Sequence, residues 1–167
     1  RSILSTVSAV FDPMGIACPF VLPGKLLLQE LCRKTMEWDT ELSQNDIRVW
    51  DQFVYTLHNL ESLQVPRCVK PLASDFGKIS QVQLHHFSDA SDKAYVIASY
   101  IRFESVTGNI SCNLLLGKAR VAPLKKVTIP RMELTAATLA VKMNHMIQTK
   151  YQVQVDRTFY WTDSMSV

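Results

Sequence analysis

The chain has 167 residues, a hydrophobic share of 47% and a charged share of 20%. That balance supplies enough apolar surface for a core and excludes an intrinsically disordered chain, and the low Gly and Pro counts exclude a fibrous or low-complexity one. No apolar run approaches the roughly 18 residues that span a bilayer, so no membrane partner is expected. The start on Arg1 rather than Met, without the order of a signal peptide, reads as a chain that is processed, trimmed or a piece of something longer. Cys18, Cys32, Cys68 and Cys112 form no CxxC pair and are expected to be buried, reduced thiols of an intracellular protein.

The net charge of +3 is unevenly spread. Residues 1–80 carry 8 Lys/Arg against 9 Asp/Glu, and residues 81–167 carry 10 against 6. Only the second part is therefore a candidate to meet a polyanion.

Residues 1–63 read as helical. Ser2–Val10 is a short apolar-rich segment, and Asp12-Pro13-Met14-Gly15 is a turn. A helix follows to about Met36, with Leu27, Leu28, Leu31 and Cys32 on one face. Ser43 is the expected N-cap of the next helix. Its stripe is Ile47, Trp50, Val54, Leu57, Leu60 and Leu63, with Asp46, Arg48, Asp51 and His58 outside. Residues 64–80, punctuated by Pro66, Pro71 and Gly77, show no period and read as a linker.

Residues 81–167 alternate between strand and helix signals. Val82–Asp89, Ala94–Phe103 and Ile110–Lys118 read as an antiparallel meander. Pro130 opens a helix through Ile147, rich in helix-favouring Ala. Val153–Trp161 is the fourth strand. The order β-β-β-α-β gives an α+β fold class, a helical segment followed by a mixed sheet.

Three acids hold informative positions on this plan. Asp89 ends the first strand, Glu133 lies in the first turn of the helix, and Asp163 follows the fourth strand. If strands one and four are neighbours with the helix across them, the three carboxylates converge. Such a cluster needs a cation, and Mg²⁺ with its preference for oxygen ligands fits. Taken singly, each acid also fits a plainer role: a turn acid, a favourable charge near a helix start, an N-cap. The five cations Lys118, Arg120, Lys125, Lys126 and Arg131 form a run without an acid, suited to phosphates or to an ordinary solvated loop. Ser91, Ser164 and Asn113 are candidates for sugar hydroxyls. His85 and His86 lie on opposite faces of a strand, so at most one serves a site, and His145 reads as surface.

Phe87-Ser88-Asp89-Ala90-Ser91, Ile129-Pro130-Arg131-Met132-Glu133-Leu134 and Trp161-Thr162-Asp163-Ser164 resemble the ribonuclease H region of Pao/BEL-type retrotransposon polyproteins. Lys118–Leu124, Phe11–Gly15, Pro19–Gln29, Trp38-Asp39 and Trp50 fit the same family, so the resemblance spans nearly the whole chain. It implies that residues 1–63 are the distal, thumb-like end of a reverse transcriptase and that 64–80 are a linker. Residues 81–167 are then the start of a ribonuclease H-like domain, incomplete where the chain ends.

By that resemblance Asp89, Glu133 and Asp163 are catalytic and bind two Mg²⁺, with Mn²⁺ as a substitute, to hydrolyse the RNA strand of an RNA–DNA hybrid. The nucleic-acid contacts expected beside them are those read above from the residues themselves, Lys118, Arg120, Lys125, Lys126, Arg131, Ser91 and Ser164. By the same resemblance the chain's other partner is the remainder of the Pol polyprotein, and its place is the cytoplasm or a virus-like particle. A complete domain adds a fourth acid after the fourth strand, so little nuclease activity is expected of this chain alone.

Two alternatives belong to other classes. The family region is often labelled a retrotransposon peptidase, which needs paired aspartates sharing a proton. Here neither Asp89-Ala90-Ser91 nor Asp163-Ser164-Met165 has the Gly of an Asp-Ser/Thr-Gly triplet. The other alternative is a non-catalytic, domesticated nucleic-acid-binding remnant.

Overall fold

A computed structural model describes residues 1–66, 68–151 and 154–165. The protein is α+β, three helices followed by a four-stranded mixed sheet with one long helix across it.

The helical part comprises α1 (Ser2–Ala9), α2 (Cys18–Arg33) and α3 (Gln44–His58). Asp12 closes the turn between the first two, its carboxylate accepting from the Ile16 and Ala17 N–H groups at 2.9 Å each. Pro23 sits inside α2. Ser43 caps α3 as expected, its hydroxyl accepting from Asp46 N–H. The small core here is Ile3, Val7, Val21, Leu27 and Phe53.

Two features of α3 differ from the expected stripe. Phe53, outside that stripe, is the most buried residue of the helix, and Trp50 packs beside it. Asp46, expected outward, is 3% exposed. The Ser43 hydroxyl and the Lys34 ammonium, at 2.7 and 2.9 Å, hold its carboxyl below the ordinary value. The helix stops at His58, so Leu60 falls in a 3-10 turn and Leu63 is exposed.

Residues 64–80 are not uniformly irregular. They contain the short α4 (Ala73–Phe76), which buries Phe76, and the first residues of β1 (Ile79–Ala90). Strands β2 (Ala94–Ser105) and β3 (Ile110–Val121) complete an antiparallel meander with β1. Helix α5 (Ile129–Lys150) then returns the chain to β4 (Arg157–Trp161), which lies parallel to β1. The sheet order is β3-β2-β1-β4.

Strand β4 starts at Arg157, later than the expected Val153, which lies outside the described residues. The reason is local. Asp156 N–H donates to Val82 O, while the Asp156 carboxylate accepts from Val82 N–H at 2.7 Å. A side chain thus takes one rung of the ladder, and regular pairing begins one residue on.

One face of the sheet is covered by α5. Met132, Ala136, Ala140, Met143 and Ile147 recur every three to four residues along the helix and are all buried. Of these, Ala140, Met143 and Ile147 join Val82, Leu84, Ile97, Ile101 and Phe103 in one core, where each fully buried large side chain contributes about 1.5–3 kcal/mol. Small Ala side chains let the helix approach closely. Leu134 faces outward.

The helical part meets the sheet at edge strand β3. Gly15, at φ +71°, lies against Gly117, and Gly117 N–H donates to Met14 O at 2.7 Å. A Cβ on Gly15 would sit 1.8 Å from Gly117 O, so the joint is backbone against backbone. Gln29 adds a side-chain amide donor to Ala122 O. Occupying this edge removes a template for wrong strand pairing.

The cysteines are free but mostly not buried. Cys32, Cys68 and Cys112 are exposed and Cys18 is half-buried. Cys112 sits on the edge strand and Cys32 on the last turn of α2, places a small apolar side chain occupies without a core around it. No described helix is long and apolar enough to cross a membrane.

Candidate metal and nucleic-acid site

Parallel pairing of β1 with β4 sets the site. Phe87 stands opposite Trp161, and two residues further along each chain come Asp89 and Asp163. Both line one pocket with Phe87, Ser88, Val96, Ala98, Trp161 and Thr162. Both are exposed at the sheet end, and Asp89 accepts from Ala90 N–H at 2.7 Å.

Glu133 comes from the other layer. The helix begins at Ile129 after Thr128, with Pro130 in its opening turn, so Glu133 is the fifth helical residue. It lies one residue past the first turn, in which the sequence had placed it, and there the pull of free N–H groups has faded. It is half-buried, and the Ser164 hydroxyl donates to its Oε2 at 2.6 Å. Ser164 directly follows Asp163, so this hydrogen bond ties the helix acid to the segment carrying the strand acid.

The three acids are thus gathered at one end of the sheet. They are not drawn around a single point, for no three His, Cys, Asp or Glu side chains among the described residues stand close enough to hold a metal ion. The donor set itself, three carboxylates with no nitrogen or sulfur, suits a hard divalent cation.

The basic run reaches the same end. Lys118 on β3 is level with Ser88, each paired with Ile97, and Arg120 is level with Ala90, each paired with Tyr95. Lys125 and Lys126 lie in the loop from β3 to α5, and Arg131 in the first turn of α5. All five are exposed, and none forms an ion pair with a described residue.

The remaining polar candidates have internal partners. The Ser91 hydroxyl accepts from Lys93 and Ala94 N–H and donates to Ala94 O, closing the β1–β2 turn. The Asn113 amide donates to Val69 O and holds that residue against β3. His145 is exposed on α5, as expected.

The two adjacent histidines diverge as strand alternation requires. His86 is fully buried under α5, with Nδ1 2.7 Å from the Ser99 hydroxyl and Nε2 3.2 Å from Asn144 Oδ1. Burial lowers its pKa despite the Asn144 contact. His85 points the other way and accepts from the Trp161 indole N–H at 3.1 Å. Its pKa is also lowered, by burial and then by Arg102.

One feature escaped the sequence reading. His85, Phe87, Phe159 and Trp161 form an aromatic tier on the sheet face away from α5, their planes within 27° of each other. The signal was present as aromatic side chains two apart in two strands. Only the parallel register brings them together, and it sets Phe87 and Trp161 as the wall beside Asp89 and Asp163.

A family model described as Pao retrotransposon-like RNaseH-like domain matches residues 1–164. That span covers the helical part and the sheet alike. No curated protein matches the chain. On the strength of that match over nearly its whole length, the chain belongs to the Pao retrotransposon-like RNaseH-like domain family, as a part of a Pao/BEL retrotransposon polyprotein.

Proposed function

We propose that this protein is the ribonuclease H-like part of a retrotransposon Pol polyprotein and that its chemistry is hydrolysis of the RNA strand in RNA–DNA hybrids. The observation that carries the reading is the β1–β4 pairing, which lines one pocket with Asp89 and Asp163 while Ser164 links the second acid to Glu133.

In this reading Asp89, Glu133 and Asp163 would hold two Mg²⁺, or Mn²⁺ in their place. Bound there, the ions supply an activated water and a stabilised leaving oxygen. The protein's own groups do the rest. Lys118, Arg120, Lys125, Lys126 and Arg131 hold phosphates along one side of the carboxylates, through contacts that are independent of sequence and weakened by salt. Ser91 would approach a sugar only at the cost of the turn it closes. The helical part, resembling the thumb-like end of a polymerase, joins the nuclease to the remaining polyprotein, and the working place is the cytoplasm or a virus-like particle.

An end-labelled RNA–DNA hybrid incubated with the 167-residue chain and Mn²⁺ tests this. Slow, metal-dependent cleavage confined to the RNA strand and abolished by Asp89→Asn is the expected result. Hybrid binding that is unaffected by metal, without cleavage, would favour a non-catalytic binding module instead.

A further inference from the structure

We infer that Ser164 is a positioning residue for Glu133, and that its hydroxyl, rather than reading a sugar, sets the helix carboxylate for a divalent cation. The inference rests on the carboxylate site proposed above.

Three observations converge. The Ser164 hydroxyl to Glu133 Oε2 distance is 2.6 Å, in the short range of hydrogen bonds to an ionised oxygen. Both residues are half-buried, while Asp89 and Asp163 are exposed, so this is the most sheltered contact at the site. The backbone is also set for it, since Ser164 N–H donates to the Thr162 hydroxyl at 3.2 Å and turns the chain after β4.

A carboxylate has two oxygens and about four acceptor positions. Occupying Oε2 from the side fixes the rotation of the group and leaves Oε1 for a cation. Glu133 stands on a rigid 22-residue helix, but its own side chain has three rotatable bonds. Without a tether it samples solvent. With one, it is held beside the segment that carries Asp163, so the two acids from different layers move as a unit. Partners of this kind, one step out from the metal, commonly contribute 10–100-fold to metal affinity.

The same hydroxyl cannot serve two masters well. A hydroxyl has one proton, and Glu133 takes it. A sugar hydroxyl at this place could therefore not accept that proton while Glu133 holds it. Thr in its place keeps the donor and Ala removes it with little change in volume.

Mn²⁺ titration of the full 167-residue chain, followed by calorimetry, tests the idea with four single variants. Ser164→Ala is expected to weaken Mn²⁺ binding by about tenfold or more, and Ser164→Thr to restore it to within about threefold of the parent. Glu133→Gln and Asp89→Asn report on the site itself and should weaken binding further. Wild-type affinity in Ser164→Ala, with binding lost in Glu133→Gln, overturns the positioning role and leaves the carboxylate site standing. No effect of Glu133→Gln or Asp89→Asn overturns the site, and with it the role of Ser164.

A readout without metal guards against a merely structural effect. In EDTA, thermal melting of Ser164→Ala, Glu133→Gln and the double variant should be non-additive, because both single changes remove the same bond. Strict additivity would show that the two side chains do not interact, and would overturn the proposal.

Discussion

The helical part and the sheet part bury their cores in different ways. The first packs five apolar side chains and places its one buried charge, Asp46, at the rim of α3 with a cation and a hydroxyl in reach. The second packs eleven and runs a polar line through the middle, from Ser99 through His86 to Asn144. Among the described buried side chains no polar atom is left without a partner. The helical core is a simple apolar patch whose polar groups serve helix ends. The sheet core tolerates buried polarity because strand pairing already fixes the geometry those hydrogen bonds need.

The largest test of that contrast is truncation of each centre. Phe53→Ala and Leu84→Ala each empty a fully enclosed site and should cost about 3–5 and 2–5 kcal/mol respectively. Because the parts touch through Gly15, Gly117 and Gln29, both changes should lower one shared urea midpoint. Hydrogen exchange would reveal the alternative: protection lost only in residues 2–58 of Phe53→Ala would mean that the two cores melt separately.

A smaller effect probes the polar rim of the helical part. Ser43→Ala removes both the cap on α3 and one partner of Asp46, and should cost about 1–2 kcal/mol by chemical denaturation. A loss below a few tenths of a kcal/mol would show that Lys34 alone suffices.

The smallest expected effect is a slope with pH. His86 titrates lower in the folded protein than in the unfolded chain, because burial disfavours its cation. The unfolded state then takes up protons first. Stability is full above the ordinary histidine range and falls as pH drops from about 6.5 through the lowered folded value. His85 adds to the same window. The melting temperature of His86→Gln should therefore vary less between pH 7.5 and 5.5 than that of the parent, and an unchanged slope would assign the effect to His85.

What the sequence made legible was local or periodic. The Asp12–Gly15 turn, the Ser43 cap, the three-strand meander and the long Ala-rich helix each depend on residues close together in the chain. The direction of strand four was legible too, because a helix after strand three returns the chain parallel to it and so to strand one. Its place beside strand one was only a condition until the sheet order was seen. What escaped depended on distant partners. Asp46 looks like surface until Lys34, twelve residues away, reaches it. Asp156 reads as strand until its carboxylate is seen to take, in place of a backbone carbonyl, the N–H of Val82, 74 residues earlier. Ser164 looked like a sugar contact until its hydroxyl was seen to donate to Glu133, 31 residues away on another layer.

The meeting of Gly15 and Gly117 bears on how this protein changes over time. Most interfaces between parts of a chain are adjusted by exchanging side chains, a methyl group here or a charge there. This joint offers nothing to exchange. At Gly15 any larger residue collides with the facing carbonyl, and the left-handed backbone there already disfavours it. At Gly117 an added Cβ would come within 2.7 Å of Gly15 O. The angle between helices and sheet is therefore free to drift only through the residues around the crossing, such as Gln29 and Ala122, while the crossing itself behaves as a fixed pivot inherited whole or lost whole.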